Sequence, residues 1–308
     1  MNITIDKAIG NTPLINIESD INFYAKLEGS NLFGSMKDRA ALYVIKELMK
    51  SDKIGTHSHI IESSSGNFAV SVAGICRCLG ISFTCVTDPL MNITTRKIIA
   101  SFGANIVTID EPDENNIYVT KRLEYISNTL IKNKNIYWIN QYDNPMIRDA
   151  YKSLAHELIE QKETIDYIFV PVSSCGTISG ISKYVKEVKP SIKIVAVDLK
   201  SSSIFYKPTT QQKLPGMGFN SVPGNLQYAH IDEVVIVDEL TCIIECRELL
   251  KKGLLVGPSS GSVVAAIKKL FSHSAHIPEI VAIFPDRGDR YITTVFDDEW
   301  CQKNYPDF

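Results

Sequence analysis

No apolar run in this 308-residue sequence approaches the length of a membrane span, which argues against a helical membrane protein and against a membrane partner. The opening residues, Met1-Asn2-Ile3-Thr4-Ile5-Asp6-Lys7, lack a basic stretch followed by a long apolar core, so no signal peptide is expected. There is no excess of positive charge: 32 Lys and Arg stand against 35 Asp and Glu, a net charge of −3. Without a basic field, nucleic acid is not an expected partner. The seven cysteines are odd in number and dispersed, in a chain too large to need disulfide staples. Cys76 and Cys78 are one residue apart, Cys242 and Cys246 one helical turn apart. Neither pair has zinc CxxC spacing, and no histidine cluster completes a site, so no metal is expected and the thiols read as small buried apolar residues of a cytoplasmic protein. Walker A and GxGxxG motifs are both missing. So are internal repeats, low-complexity tracts and Pro/Gly linkers, so two domains, if present, are packed intimately.

What is present is an alternation of strand and helix. Strand-like runs occupy Phe23 to Glu28, His59 to Glu62, Ser82 to Val86, Asn105 to Ile109, Ile136 to Ile139, Tyr167 to Val172, Ile192 to Val197 and Ile280 to Phe284, with helical patterns between most of them. This predicts an α/β fold of parallel sheets covered by helices. The least regular stretch, Lys200 to His230, carries Pro208, Pro215, Gly216, Gly218, Pro223 and Gly224, and a long irregular segment in such a fold is often a functional loop.

Open α/β sheets bind ligands beyond the C-terminal ends of their strands. Lys37 follows the first of these strands and lies where Ala41, Leu42, Val44, Ile45, Leu48 and Met49 begin a helical period. Ser35 is placed to cap that helix, with Asp38 completing a shortened capping box. A helix start disfavours an ammonium and favours the neutral amine, which can form an imine; the alternative is a solvated surface lysine. Glu62-Ser63-Ser64-Ser65-Gly66-Asn67-Phe68 suits a carboxylate or an ordinary helix cap. Val172-Ser173-Ser174-Cys175-Gly176-Thr177 is able to form a phosphate cup, or is a generic small-residue loop. Gly257-Pro258-Ser259-Ser260-Gly261-Ser262, after the strand-like Leu254 to Val256, serves either close helix packing or a ligand. In Pro285-Asp286-Arg287-Gly288-Asp289-Arg290-Tyr291 the charges are expected to pair on the surface. A phosphorylated aldehyde that forms a lysine imine would use the lysine and the first three loops together, and that cofactor is pyridoxal 5′-phosphate.

Asn31-Leu32-Phe33-Gly34-Ser35-Met36-Lys37-Asp38-Arg39 resembles the N-P-x-G-S-x-K-D-R motif of the cysteine synthase family, the fold-type II, tryptophan-synthase-β-like group of pyridoxal phosphate enzymes. The resemblance continues in order through Gly10-Asn11-Thr12-Pro13-Leu14, Ser65-Gly66-Asn67, Gly176-Thr177 and Ser259-Ser260-Gly261, and so covers essentially the whole chain. It implies two sheets flanked by helices, with the active site between a larger cofactor-binding domain (1–34 and 146–308) and a smaller mobile domain (35–145). It also implies a homodimer acting on small amino-acid substrates. Lys37 is implied as the Schiff-base lysine and the general base. Asn67 would meet the cofactor 3′-oxygen, Ser173, Ser174, Cys175, Gly176 and Thr177 its phosphate, and Ser259 its pyridine nitrogen. Ser64, Ser65, Gly66, Phe68, Gln141, Tyr151, Gly216, Met217 and Gly218 are the implied substrate contacts.

Trp138-Ile139-Asn140-Gln141-Tyr142, Tyr151, Ile165-Asp166-Tyr167, Leu214-Pro215-Gly216-Met217-Gly218 and the Pro285 to Tyr291 stretch resemble one branch of that family. This is the branch that makes N-(2-amino-2-carboxyethyl)-L-glutamate, a source of 2,3-diaminopropionate for siderophores of the staphyloferrin B type and for peptide antibiotics. The branch implies β-replacement on O-phospho-L-serine through an aminoacrylate, with the amine of glutamate as nucleophile. The alternatives are a cysteine synthase using O-acetylserine or O-phosphoserine with sulfide, and a non-catalytic binding module on the same fold. The chain departs from the pattern in three places. Ser173 and Cys175 occupy glycine-like positions, Phe68 replaces a threonine, and Phe219-Asn220-Ser221-Val222-Pro223 lacks the arginine of A-S-R-V-P, a candidate partner for a phosphorylated or dicarboxylic substrate.

Overall fold

The computed structural model describes residues 4–114, 117–208 and 210–308. Met1 to Ile3, of the opening stretch, and Thr209, of the irregular segment, lie outside them. Ten strands form two sheets among the described residues. They are β1 (Leu14–Ile17), β2 (Phe23–Leu27), β3 (His59–Ser63), β4 (Ser82–Thr87), β5 (Asn105–Thr108), β6 (Ile136–Trp138), β7 (Tyr167–Pro171), β8 (Lys193–Leu199), β9 (Glu233–Val237) and β10 (Ile280–Phe284). The larger sheet runs β1-β2-β10-β7-β8-β9 and the smaller β5-β4-β3-β6. Every pairing is parallel except β1 with β2.

The helices are α1 (Lys37–Lys50), α2 (Asn67–Leu79), α3 (Ile93–Ser101), α4 (Tyr118–Lys132), α5 (Pro145–Asp149), α6 (Lys152–Gln161), α7 (Gly176–Val188), α8 (Glu239–Lys251), α9 (Pro258–Phe271) and α10 (Asp298–Asn304). None of them is long and apolar enough to cross a membrane.

The central strands β7, β8 and β10 are apolar on both faces because helices cover both. Alternate residues feed two cores. Ile168, Val170, Val281 and Ile283 join the core built with α1, α2, α6 and α7, whereas Phe169, Ala282 and Phe284 join the core built with α8 and α9. The first core runs on into the smaller sheet through Ile60, Phe83 and Cys85, so α1 and α2 seal the two sheets together. The outer face of the smaller sheet is closed by a separate cluster of Ile61, Val86 and Ile126, the last from α4.

All eight strand runs from Phe23 onward form strands. Leu254 to Val256 does not: only Val256 makes a bridge, to Arg287. The two strands that the pattern did not reveal, β1 and β9, are the edges of the larger sheet, where half-burial leaves a weak alternation.

Candidate active site

The segments that leave the C-terminal ends of β3, β7, β8 and β10 line one cleft of about 530 Å³, with Lys37 at its wall. Lys37 opens α1, but Ser35 is not the capping residue; Met36 holds that position. The Ser35 hydroxyl accepts the Lys37 N–H at 3.2 Å. Asp38 accepts instead from the Phe33 N–H at 2.7 Å and the Ser71 hydroxyl at 2.5 Å. Burial lowers the Lys37 ammonium to a pKa of about 8, opposed by the nearby carboxylate of Asp286. Loss of hydration is thus the largest cause, where the sequence pointed to the helix end.

Between β3 and α2, the Ser64 hydroxyl accepts the Ala69 N–H at 3.2 Å and the Gly66 N–H at 3.4 Å, which shapes the loop. Ser65 is exposed at the cleft, and Phe68 is buried in its wall. Asn67 begins α2 and donates from Nδ2 to Asp286 Oδ2 at 2.6 Å. Gln141 holds the loop from behind, donating to the Ser63 carbonyl at 2.8 Å.

Between β7 and α7, Cys175 has φ +59°, the left-handed conformation that glycine adopts without cost. The glycine-like position is therefore real, occupied by a buried thiol that burial pushes up to about 12 and so keeps neutral. The Ser173 hydroxyl donates to the Gly218 carbonyl at 3.0 Å, and Asn225 Nδ2 holds the Ser174 carbonyl at 3.1 Å. Gly176 and Thr177 open α7, where first-turn N–H groups have no acceptor within the helix. Gly216, Met217 and Gly218 form the facing wall, pinned by the Gly218 N–H on the Val172 carbonyl at 3.0 Å.

Two expectations change, and one open alternative is decided. Ser259 lines the cleft from the first turn of α9 rather than from a loop, because the helix starts at Pro258. A Cβ on Gly261 would collide with the Cys242 carbonyl, so that glycine serves the close contact of α8 with α9. Tyr151 is fully enclosed, with the Lys37 amine 5.9 Å above its ring, and does not line the cleft as a substrate contact would.

The Pro285 to Tyr291 stretch is also not a surface pair. Asp286 and Arg290 are buried, and only Arg287 and Asp289 face each other in solvent, at 4.0 Å. Arg290 donates to the Phe33 carbonyl, and the Tyr291 hydroxyl to Asp286 Oδ2 at 2.6 Å.

Arg122 was not singled out from the sequence. It lies on α4 with its side chain 4% exposed, 3.4 Å from Asp88, and it lines the cleft. Its Nε and Nη1 have no hydrogen-bond acceptor among the described residues. The available signal was an arginine four residues before Ile126 on the buried stripe of an amphipathic helix.

The donor set fits a phosphorylated aldehyde: unfilled helix N–H groups with hydroxyls beside them for the phosphate, and an amine that is substantially neutral near pH 8 for the carbonyl. No metal-binding cluster of His, Cys, Asp and Glu occurs among the described residues.

A family profile described as "Pyridoxal-phosphate dependent enzyme" matches residues 5–286. Solved structures agree with the fold. An O-acetylserine dependent cystathionine beta-synthase from Helicobacter pylori is 28% identical, with a TM-score of 0.87 over 96% of this chain and 98% of that one. A hydrogen sulfide-producing enzyme from Fusobacterium nucleatum is 28% identical, with a TM-score of 0.86 over 94% of this chain and 100% of its own. An O-ureido-L-serine synthase, 24% identical, shares the fold at a TM-score of 0.88 over 97% and 96% of the two chains.

Proposed function

This chain belongs to the family of pyridoxal-phosphate dependent enzymes, and from that premise we propose β-replacement on an activated L-serine, O-phospho-L-serine, with the amine of L-glutamate as nucleophile, to give N-(2-amino-2-carboxyethyl)-L-glutamate. Arg122 carries the choice of nucleophile. The buried Arg122 guanidinium is paired with Asp88 through Nη1 at 3.4 Å while its Nε has no acceptor among the described residues, and a ligand carboxylate supplies acceptors where sulfide does not. Arg122 thereby supplies, from α4, the cation missing from the 219–223 segment.

Pyridoxal phosphate supplies the electron sink that acidifies the Cα proton of an amino acid. Ser173, Ser174, Cys175, Gly176 and Thr177 would hold its phosphate, Asn67 its 3′-oxygen and Ser259 its ring nitrogen. A neutral serine at that nitrogen does not hold it protonated, which suits replacement better than transamination. Lys37 would be the attachment lysine and the group that moves the Cα proton: its lowered pKa makes the free amine available as base near neutral pH. Ser64, Ser65, Gly66 and Gln141 orient the substrate carboxylate. Phe68 and Met217 present apolar surface that keeps water from the reacting carbon. Tyr151 supports Lys37 from below. The smaller domain, 35–145, closes against 1–34 and 146–308, the working unit is a homodimer, and a place in siderophore or antibiotic biosynthesis follows from the product.

Steady-state rates with O-phospho-L-serine and varied glutamate test the reading. Arg122→Ala should raise the KM for glutamate roughly 10- to 100-fold, the value of a charge-assisted hydrogen bond, with the first half-reaction intact. An unchanged KM would contradict it.

A further inference from the structure

Asp286 is a buried carboxylate that no step above uses. Its Oδ2 accepts two short hydrogen bonds, from Asn67 Nδ2 and from the Tyr291 hydroxyl, both at 2.6 Å, while Oδ1 has no partner among the described residues. The fold makes room for it. A Cβ on Gly257 would collide with Oδ1, and one on Gly216 would lie 2.7 Å from the Tyr291 hydroxyl. Its backbone ties it to both neighbours of the site. Asp286 bridges to Ser35, two residues before Lys37, and its carbonyl accepts the Gly257 N–H at 3.1 Å, two residues before Ser259.

An amide has one donor end and one acceptor end of nearly the same shape, and a carboxylate only accepts. Beside Asp286 the Asn67 amide must present its nitrogen. One N–H is then spent on Oδ2 and one remains free as a donor. Were the amide turned over, its carbonyl would oppose the carboxylate, and the donor for an anionic ligand oxygen would be lost. We propose that Asp286, clamped by Tyr291, is a positioning residue that fixes the donor sense of Asn67 toward the 3′-oxygen of the cofactor. This rests on the assignment of Asn67 made above.

The test is the absorption spectrum of the substrate-free holoenzyme, which separates the tautomers carrying the proton on the imine nitrogen or on the 3′-oxygen. A donor at that oxygen favours the first. Asp286→Asn, close in shape but able to present either amide end, should shift the ratio of the two bands toward the second by about tenfold, one charge-assisted hydrogen bond, at unchanged cofactor content. Tyr291→Phe should shift it less, in the same direction. Asn67→Ala should shift it at least as far, and adding Asp286→Asn to that variant should change nothing more. An unshifted Asp286→Asn spectrum, beside a shifted Asn67→Ala spectrum, would overturn the proposal and leave Asn67 in place. An unshifted Asn67→Ala spectrum would overturn both. An equal effect of Asp286→Asn in the Asn67→Ala background would show that Asp286 acts by another route, and would overturn the proposal as well.

Discussion

Lys37 shows how much one residue owes to its surroundings. An ordinary lysine amine stays protonated at neutral pH, whereas burial brings this one to about 8. The rate at which cofactor-free protein captures pyridoxal phosphate should therefore rise with pH through a midpoint near 8 and level off above it; a rise continuing toward 10.5 would show a solvated amine. The lysine and the Ser173 to Thr177 turn were legible because their signals are local, a strand end, small residues and a helix period. Asp286 and Arg122 were not. Asp286 meets Asn67 across 219 residues of sequence, and Arg122 on α4 faces Asp88 in the loop after β4, so neither proximity leaves a trace in spacing. Charges in a turn are usually solvated, and that prior placed Asp286 and Arg290 on the surface.

At the scale of the element, α1 carries the lysine and is anchored by its third residue. Arg39 donates to both oxygens of Glu28, at 2.6 and 2.8 Å, and to both of Glu157 on α6, at 2.6 and 2.8 Å. Lys26 on β2 completes the network with Glu157 at 2.7 Å. Despite burial, which raises it, the hydrogen bonds from Arg39 and Lys26 hold the Glu157 carboxyl down at about 2. Arg39→Ala leaves two buried carboxylates short of their partner and should cost about 3–5 kcal/mol in denaturant unfolding. A loss near that of an exposed pair, about 0–1 kcal/mol, would mean that the network is solvated. The helices and inner strands could be read from periodicity because both of their faces, or one clear stripe, are buried. The start of α9 could not, since Pro258-Ser259-Ser260-Gly261 has the composition of a loop, and only packing against α8 makes it helical.

In the whole molecule, two largely parallel sheets share one apolar core and turn their strand ends toward one cleft. Glu62, near the end of β3, is fully buried, and burial pushes its carboxyl up to about 8 from an ordinary 4.5. The folded state then binds a proton that the unfolded chain has released. The stability Glu62 contributes is complete below 4.5 and is lost as pH rises through 8. Thermal unfolding of the wild type should accordingly fall relative to Glu62→Gln between those limits. Parallel curves would place Glu62 in contact with water.

The cleft is proposed to join an activated serine to an amine that bears a carboxylate. The direct measurement is competition between nucleophiles. The purified holoenzyme is charged with O-phospho-L-serine and offered L-glutamate or sulfide at equal concentration, and the products are identified by mass. N-(2-amino-2-carboxyethyl)-L-glutamate should be the main product, with the preference for glutamate weakened in Arg122→Ala. Cysteine as the main product, unaffected by that substitution, would contradict it.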